Sequence, residues 1–278
     1  MHVSNILVVD DDTATRRLLE SVLTKAGFSV VVAVDGSEGV NHLRSRAFDL
    51  VFLDVWMPQM NGLEVLELMR KEQITSKVVI FTSDTTPETI LHAVRQQAYR
   101  YMQKPLDPGE VLELARAVLS ASPALPIEVV SGRPDWIELL VPCTLNAAER
   151  VYSFLAHLDA DLSDDVRESI SRVFREMLNN AIEWGGQLDP SRKVRISYIR
   201  AKRMLLYRIA DPGPGFSFDA LPHAAVSNPD DQPIQHTFVR RQEGLRPGGF
   251  GILMSRQSVD ELLYNEAHNE VVFIKYLD

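Results

Sequence analysis

Four apolar runs in the first 104 residues end in residues able to do chemistry. NILVVD closes on Asp10 and is followed by Asp11, LVFLDV carries Asp54, KVVIFT closes on Thr82, and YRYMQK closes on Lys104. Three carboxylates brought together repel unless a cation joins them. A hard divalent ion such as Mg2+, bound through oxygen, meets that need. One of the acids can then act as a nucleophile toward a phosphoryl group, while an ammonium and a hydroxyl hold the phosphoryl oxygens. Acids at strand ends also serve as helix N-caps, and Asp12 is read as one. Capping alone does not account for five such residues on four runs.

Positioning them requires a particular scaffold. Those runs, with SVVVAV after the first, alternate with helical patterns over 13–26, 37–46, 62–71, 87–97 and 108–120. Five βα units in this order predict a doubly wound, five-stranded parallel sheet covered on both faces. In such sheets function gathers at the carboxyl ends of the strands. If the first and third strands are neighbours, Asp10, Asp11 and Asp54 converge.

The pieces ILVVDDD, FLDVWMP, FTS and YMQKP resemble a response-regulator receiver domain over about residues 1–120. The resemblance implies a flavodoxin-like fold, with Asp54 as the phospho-acceptor and Asp10, Asp11 and Asp54 holding Mg2+ with the backbone carbonyl of Trp56. It also implies that Thr82 and Lys104 contact the phosphoryl group, that Tyr101 is the aromatic switch, and that a sensor histidine kinase is the phosphodonor. Two positions depart from the pattern: Ser83 stands where alanine is usual and Gln97 where glycine is usual.

A second set of residues lies in RVFREMLNNAIEWGG, 172–186. Val166, Ile170, Val173, Phe174, Met177, Leu178, Ala181 and Ile182 recur at helical spacing and predict a core helix over 164–184. Glu176 and Asn180 are four apart, share one side, and flank that apolar stripe. An asparagine oxygen can bind a cation without adding charge, and a glutamate can orient or deprotonate a hydroxyl. Downstream, DPGPGF places Asp211 at a strand end, with Gly213 and Gly215 allowing close backbone approach. RPGGFG then opens a helix, where free amides favour phosphate and Gly248, Gly249 and Gly251 can cradle it. Between the two motifs, 216–247 shows little periodicity and reads as a lid. Arg240, Arg241 and Arg246 lie near its end, the first two read as solvated charge.

The prolines of SASPALP mark a boundary, giving units 1–122 and 127–278 with a linker at 123–126. Strands are predicted over 127–130, 136–141, 194–201, 205–210 and 270–276, the third and fourth forming a hairpin. Helices are predicted over 147–158, 164–184 and 251–263. The second unit is therefore α+β, helices on a mixed sheet.

This polar helix, Asp-Gly turn, lid and glycine-started helix resemble the GHKL ATPase sandwich, and within it the anti-sigma factor serine kinases, over about 127–278. The resemblance implies ATP and Mg2+ as cofactors, Glu176 as general base, Asn180 on the metal of Mg-ATP, and Asp211 on adenine. Gly213, Gly215, Gly249 and Gly251 would shape the phosphate and lid region. Trp184 departs from the usual histidine and cannot accept a proton. The implied activity is phosphorylation of serine or threonine on an anti-anti-sigma-like protein that controls a sigma factor. The alternative is an ATP- or partner-binding module without useful turnover.

Composition bounds partners. Lys plus Arg number 29 against 38 Asp plus Glu, a formal charge of −9 that disfavours nucleic acid and anionic lipid surfaces. Cys143 is alone, so no internal disulfide forms. With no leader and no long apolar run, a cytoplasmic protein off the membrane is expected. Homodimers suit both domain types. The short linker leads us to expect that phosphorylation of Asp54 alters the second unit or its partner.

Overall fold

The computed structural model describes residues 3–84, 86–159, 161–218, 224–228, 232–242, 244 and 249–277. The chain divides into two compact units, one of residues 1–124 with 153–158, the other of 125–152 with 159–278.

In the first unit, strands β1 (Asn5–Val9), β2 (Ser29–Ala33), β3 (Leu50–Asp54), β4 (Lys77–Thr82) and β5 (Arg100–Gln103) alternate with helices. These are α1 (Thr13–Lys25), α2 (Gly36–Ser45), α3 (Gly62–Lys71), α4 (Pro87–Arg95) and α5 (Pro108–Ser120). The strand order is β2-β1-β3-β4-β5, and every pair is parallel. Ile6–Val9 of β1, Leu50–Leu53 of β3 and Val79–Phe81 of β4 are fully buried, as helices on both faces demand. Each such side chain contributes about 1.5–3 kcal/mol relative to exposure. Local signals agree with this sheet. The Asp12 carboxylate caps α1 by accepting from Ala14 and Thr15 N–H, and Asn61 with Glu64 forms a reciprocal capping box on α3. Because β1 lies between β2 and β3, the chain reverses direction of winding there, and the ends of β1 and β3 open side by side.

The second unit carries β6 (Glu128–Arg133), β7 (Trp136–Pro142), β8 (Lys193–Ala201), β9 (Met204–Ala210), β10 (Glu261–Tyr264) and β11 (Glu270–Tyr276). They form one sheet in the order β10-β11-β9-β8-β7-β6. Every pair is antiparallel, so the expected mixed sheet is corrected. The β8–β9 hairpin turns at Lys202 and Arg203, as its length required. Helices α6 (Leu145–Leu158), α7 (Asp164–Asn180), α8 (Gln235–Gln242) and α9 (Gly251–Ser258) complete the chain. The apolar stripe of α7 is buried through Ile170, Val173, Phe174, Met177 and Leu178. Phe174 packs 5.2 Å from the ring of Tyr207, which stacks on Phe273 at 5.1 Å.

Three element boundaries differ from expectation. The core helix ends at Asn180 and widens into a π-helical turn, Ala181–Gly185. The last helix stops at Ser258, whose hydroxyl bonds the Met254 carbonyl. Val259 is extended, and residues 261–264 pair with β11, because an open sheet edge outcompetes the helical periodicity of Leu262 and Leu263. Of the span 216–247 read as a lid, 219–223, 229–231, 243 and 245–247 lie outside the described residues, and α8 lies within the rest.

Two candidate ligand sites

The first site opens at the ends of β1, β3, β4 and β5. One carboxylate oxygen from each of Asp10, Asp11 and Asp54 lies within 4.8 Å of the others; Asp10 and Asp54 are buried and Asp11 is exposed. Lys104 reaches across from the end of β5, its Nζ 2.8 Å from Asp10 Oδ2 and 3.3 Å from Asp54 Oδ1. The backbone N–H of Lys104 donates to the Thr82 carbonyl at 3.0 Å, and Asp54 pairs with Phe81, one residue before Thr82. The five predicted residues therefore gather at one sheet edge. Burial pushes the Asp54 carboxyl up to about 6, against the pull of Lys104 and with the added repulsion of Asp10. Lys104 is half-buried, which opposes its charge, but its bonds to the two acids hold its pKa above the ordinary value. Three carboxylates and one ammonium leave excess negative charge on an all-oxygen donor set. That composition fits a divalent hard cation.

Two contributors here were not read from the sequence. Gly62 donates to the Val55 carbonyl at 2.9 Å, and a Cβ on it would stand 2.0 Å from the Asp54 carbonyl oxygen. Asp84 accepts from the Trp56 indole at 3.0 Å, from the Thr89 hydroxyl at 2.7 Å and from Thr86 N–H at 2.8 Å. The Tyr101 hydroxyl donates to the Asp84 carbonyl. Burial would raise the Asp84 carboxyl, but these donors hold it below its ordinary value. No motif announces Asp84, because its role comes from three elements meeting. Gln97 has φ 63°, which explains why glycine is the usual residue there.

The second site is built around α7. Asn180 Nδ2 donates to Glu176 Oε1 at 3.3 Å, so the two share one side as expected, and the Asn180 amide oxygen remains an acceptor. Gly251, the first residue of α9, presses on this pair: a Cβ there would lie 1.7 Å from Glu176 Oε1. The carboxylate thus sits at the positive end of α9. Asp211 follows β9 and accepts from Gly213 N–H at 2.7 Å through Oδ1. A Cβ on Gly185 would lie 2.1 Å from the Asp211 carboxyl carbon, so the π-helical turn carries the end of α7 directly onto Asp211. Burial raises the Asp211 carboxyl, while Gly213 N–H and the charge of Arg192 pull against it. Gly215 and Gly249 both adopt positive φ, 84° and 94°. Gly248 and Arg246 lie outside the described residues. Trp184 is exposed in the π-helical turn.

Glu176, Asn180 and Gly251 thus meet at one end of the turn, and Asp211, Gly185 and Gly213 at the other. Three glycines stand where any side chain would fill the approach to Asp211 or Glu176. Such a glycine-lined site, with an uncharged oxygen donor and a carboxylate, fits a nucleotide and its metal.

Residues 6–116 match the family model of the response regulator receiver domain, and residues 141–275 match that of the histidine kinase-like ATPase domain. The response regulator ArlR of Staphylococcus aureus strain Mu50 is 31% identical over 203 residues, 72% of this chain and 90% of that protein. The same values hold for ArlR of strain MW2. This chain belongs to the response regulators. Among solved structures, a CheY-like receiver domain protein of Methanospirillum hungatei is 30% identical with a TM-score of 0.42, covering 42% of this chain and 94% of that one. Chemotaxis protein CheY4 of Vibrio cholerae is 28% identical with a TM-score of 0.41, covering 42% and 99%. The response regulator thus joins a receiver domain to an ATP-binding, histidine kinase-like ATPase domain. Among its described residues no helix is long and apolar enough to cross a membrane.

Proposed function

We propose that this response regulator accepts a phosphoryl group on Asp54 and uses its ATPase-type domain to phosphorylate serine or threonine on an anti-anti-sigma-like partner. A sensor histidine kinase supplies the first phosphoryl group. An Asp54 oxygen attacks phosphorus, the P–N bond to imidazole breaks, and a P–O bond forms. Asp10, Asp11, Asp54 and the Trp56 carbonyl would hold Mg2+, which would offset the crowded negative charge. Lys104 and Thr82 hold the phosphoryl oxygens.

In the second domain Asp211 would accept a hydrogen bond from the exocyclic amine of adenine, and Asn180 would hold the metal of Mg-ATP. Gly213, Gly215, Gly249 and Gly251 leave room for phosphates and lid. Glu176 takes the proton of the partner hydroxyl as that oxygen attacks the γ-phosphorus and ADP departs. The observation that carries this reading is the Glu176–Asn180 pair meeting Gly251 at the start of α9. The partner would control a sigma factor, in the cytoplasm. Asp54 phosphorylation would shift the output by about 1–3 kcal/mol, the usual size of allosteric coupling.

Incubation with labelled ATP, Mg2+ and anti-anti-sigma-like proteins tests it. Acid-stable phosphate on a partner serine or threonine is expected, and it should form far more slowly with Glu176→Ala. Partner that stays unlabelled while ATP binds would replace the kinase with a second reading, an ATP-dependent binding module. Exposed Trp184, which cannot accept a proton, favours that alternative.

A further inference from the structure

The turn joining β10 to β11, residues 265–269, grips the loop that carries Asp211. The Asp211 N–H donates to the Asn269 carbonyl at 2.9 Å, and Asn269 Nδ2 donates to the Gly213 carbonyl at 3.0 Å. One residue thus holds the loop at Asp211 and again two residues on. Its neighbours extend the grip. Phe216 N–H donates to the Ala267 carbonyl at 3.1 Å, and His268 Nδ1 lies 2.7 Å from the Phe216 carbonyl. A Cβ on Gly215 would stand 1.7 Å from the Ala267 carbonyl oxygen, so no side chain fits between turn and loop.

The turn is itself braced. Asn265 Oδ1 accepts from the N–H groups of Asn269 and Glu270 at 3.1 and 3.2 Å, and Asn265 Nδ2 donates to Asn269 Oδ1 at 2.8 Å. That last bond fixes which way the Asn269 amide faces: its oxygen is taken, so its nitrogen turns to Gly213. Tyr264, at the end of β10, places its hydroxyl 3.4 Å from the sulfur of Met177, the residue after Glu176. The strand that leads into the turn therefore rests on the residue next to Glu176.

We propose that Asn269 is a positioning residue for adenine, setting the direction in which Asp211 presents its carboxylate. This rests on the assignment of Asp211 to adenine above. Asp211 Oδ1 is engaged by its own loop. Recognition of the base then falls to the other oxygen, whose direction follows the tilt of the 211–213 backbone. Hydrogen bonds weaken steeply with angle, so a small tilt costs adenine while leaving phosphate contacts in place.

The test is calorimetry of ATP and GTP binding with Mg2+ to the full-length protein, its Asn269→Ala variant and its Asn269→Asp variant. The aspartate keeps the shape but turns an oxygen toward the Gly213 carbonyl, and it serves if the alanine variant does not fold. Affinity for ATP should fall about three- to tenfold, the scale of one neutral hydrogen bond, with GTP affinity unmoved. The preference for ATP over GTP should shrink by the same factor. Unchanged ATP affinity in folded variants, or an equal loss for both nucleotides, would overturn the positioning role alone. Wild-type protein that binds no ATP would instead overturn the ATP site on which it rests.

Discussion

The two sites of this response regulator are assembled in opposite ways. In the receiver, every chemical residue stands at or just past the end of a parallel strand, and the hydrogen-bonded ladder sets their spacing. Asp54 faces the site because β3 is buried between β1 and β4, with no freedom to slip register. In the ATPase domain, Glu176 and Asn180 project from a helix side, Asp211 from a turn, and Gly251 from the start of another helix. Their spacing depends on helix packing and on glycines that admit close approach. Strand-end sites therefore tolerate little ambiguity in sequence, whereas a helix-and-loop site needs second elements, such as the Asn265–Asn269 turn, to complete it.

The sharpest way to break this contrast is at the receiver. Acetyl phosphate with Mg2+ should add one phosphoryl group, and Asp54→Asn should abolish it entirely, read by intact mass. Equal labelling of the variant would mean that the strand-end geometry does not select the nucleophile.

In the ATPase domain the losses should be graded rather than complete. Glu176→Ala should spare ATP binding but slow partner phosphorylation by about 10²–10⁴-fold, the range of general-base catalysis. Single-turnover transfer measures this. Asp211→Asn should weaken ATP binding by about 1–3 kcal/mol, as for a hydrogen bond to a charged group. Asn180→Ala should also weaken binding in the presence of Mg2+. Calorimetry that finds ATP affinity untouched in both would remove the pocket as drawn.

A buried carboxylate links the stability of the second unit to pH. Asp159 accepts from the Tyr198 and Tyr207 hydroxyls at 2.9 and 2.7 Å inside the second unit. Burial raises its pKa, and the two hydroxyls offset this only in part. The folded form then keeps a proton that the unfolded chain has released. Stability should fall as pH rises from the ordinary carboxylate value through the raised one, and level off above it. Asp159→Asn should flatten that slope in urea unfolding followed across mildly acid pH. A slope equal to wild type would assign the titration to other groups. The smallest expected effect is in the receiver. Gln97 at φ 63° bears strain that glycine would relieve. Gln97→Gly should raise stability by about 0.5–1 kcal/mol, read from the thermal midpoint.

Much of the receiver was legible because its signals are local: apolar runs of strand length, acids at their ends, and caps such as Asp12. The pairing of Glu176 with Asn180 was legible for the same reason, since four residues make one helical turn. β10 was not, because Leu262 and Leu263 suit a helix as well as an edge strand, and only the open side of β11 decides between them. Gly185, Asp84 and Asn269 carried no motif. Each matters through a partner distant in sequence: Asp211, Trp56 with Tyr101, and Gly213.

By itself the sequence determined which residues carry charge, hydroxyl and glycine freedom, and which periodicity each segment follows, since these depend on residue type and on neighbours a few positions away. Tertiary structure alone decided that β1 lies beside β3, that the second sheet is antiparallel throughout, and that Gly185 and Gly251 close upon Asp211 and Glu176. Those outcomes rest on packing and hydrogen bonding between segments tens of residues apart, where the competing arrangements differ in buried surface and paired backbone rather than in any local preference.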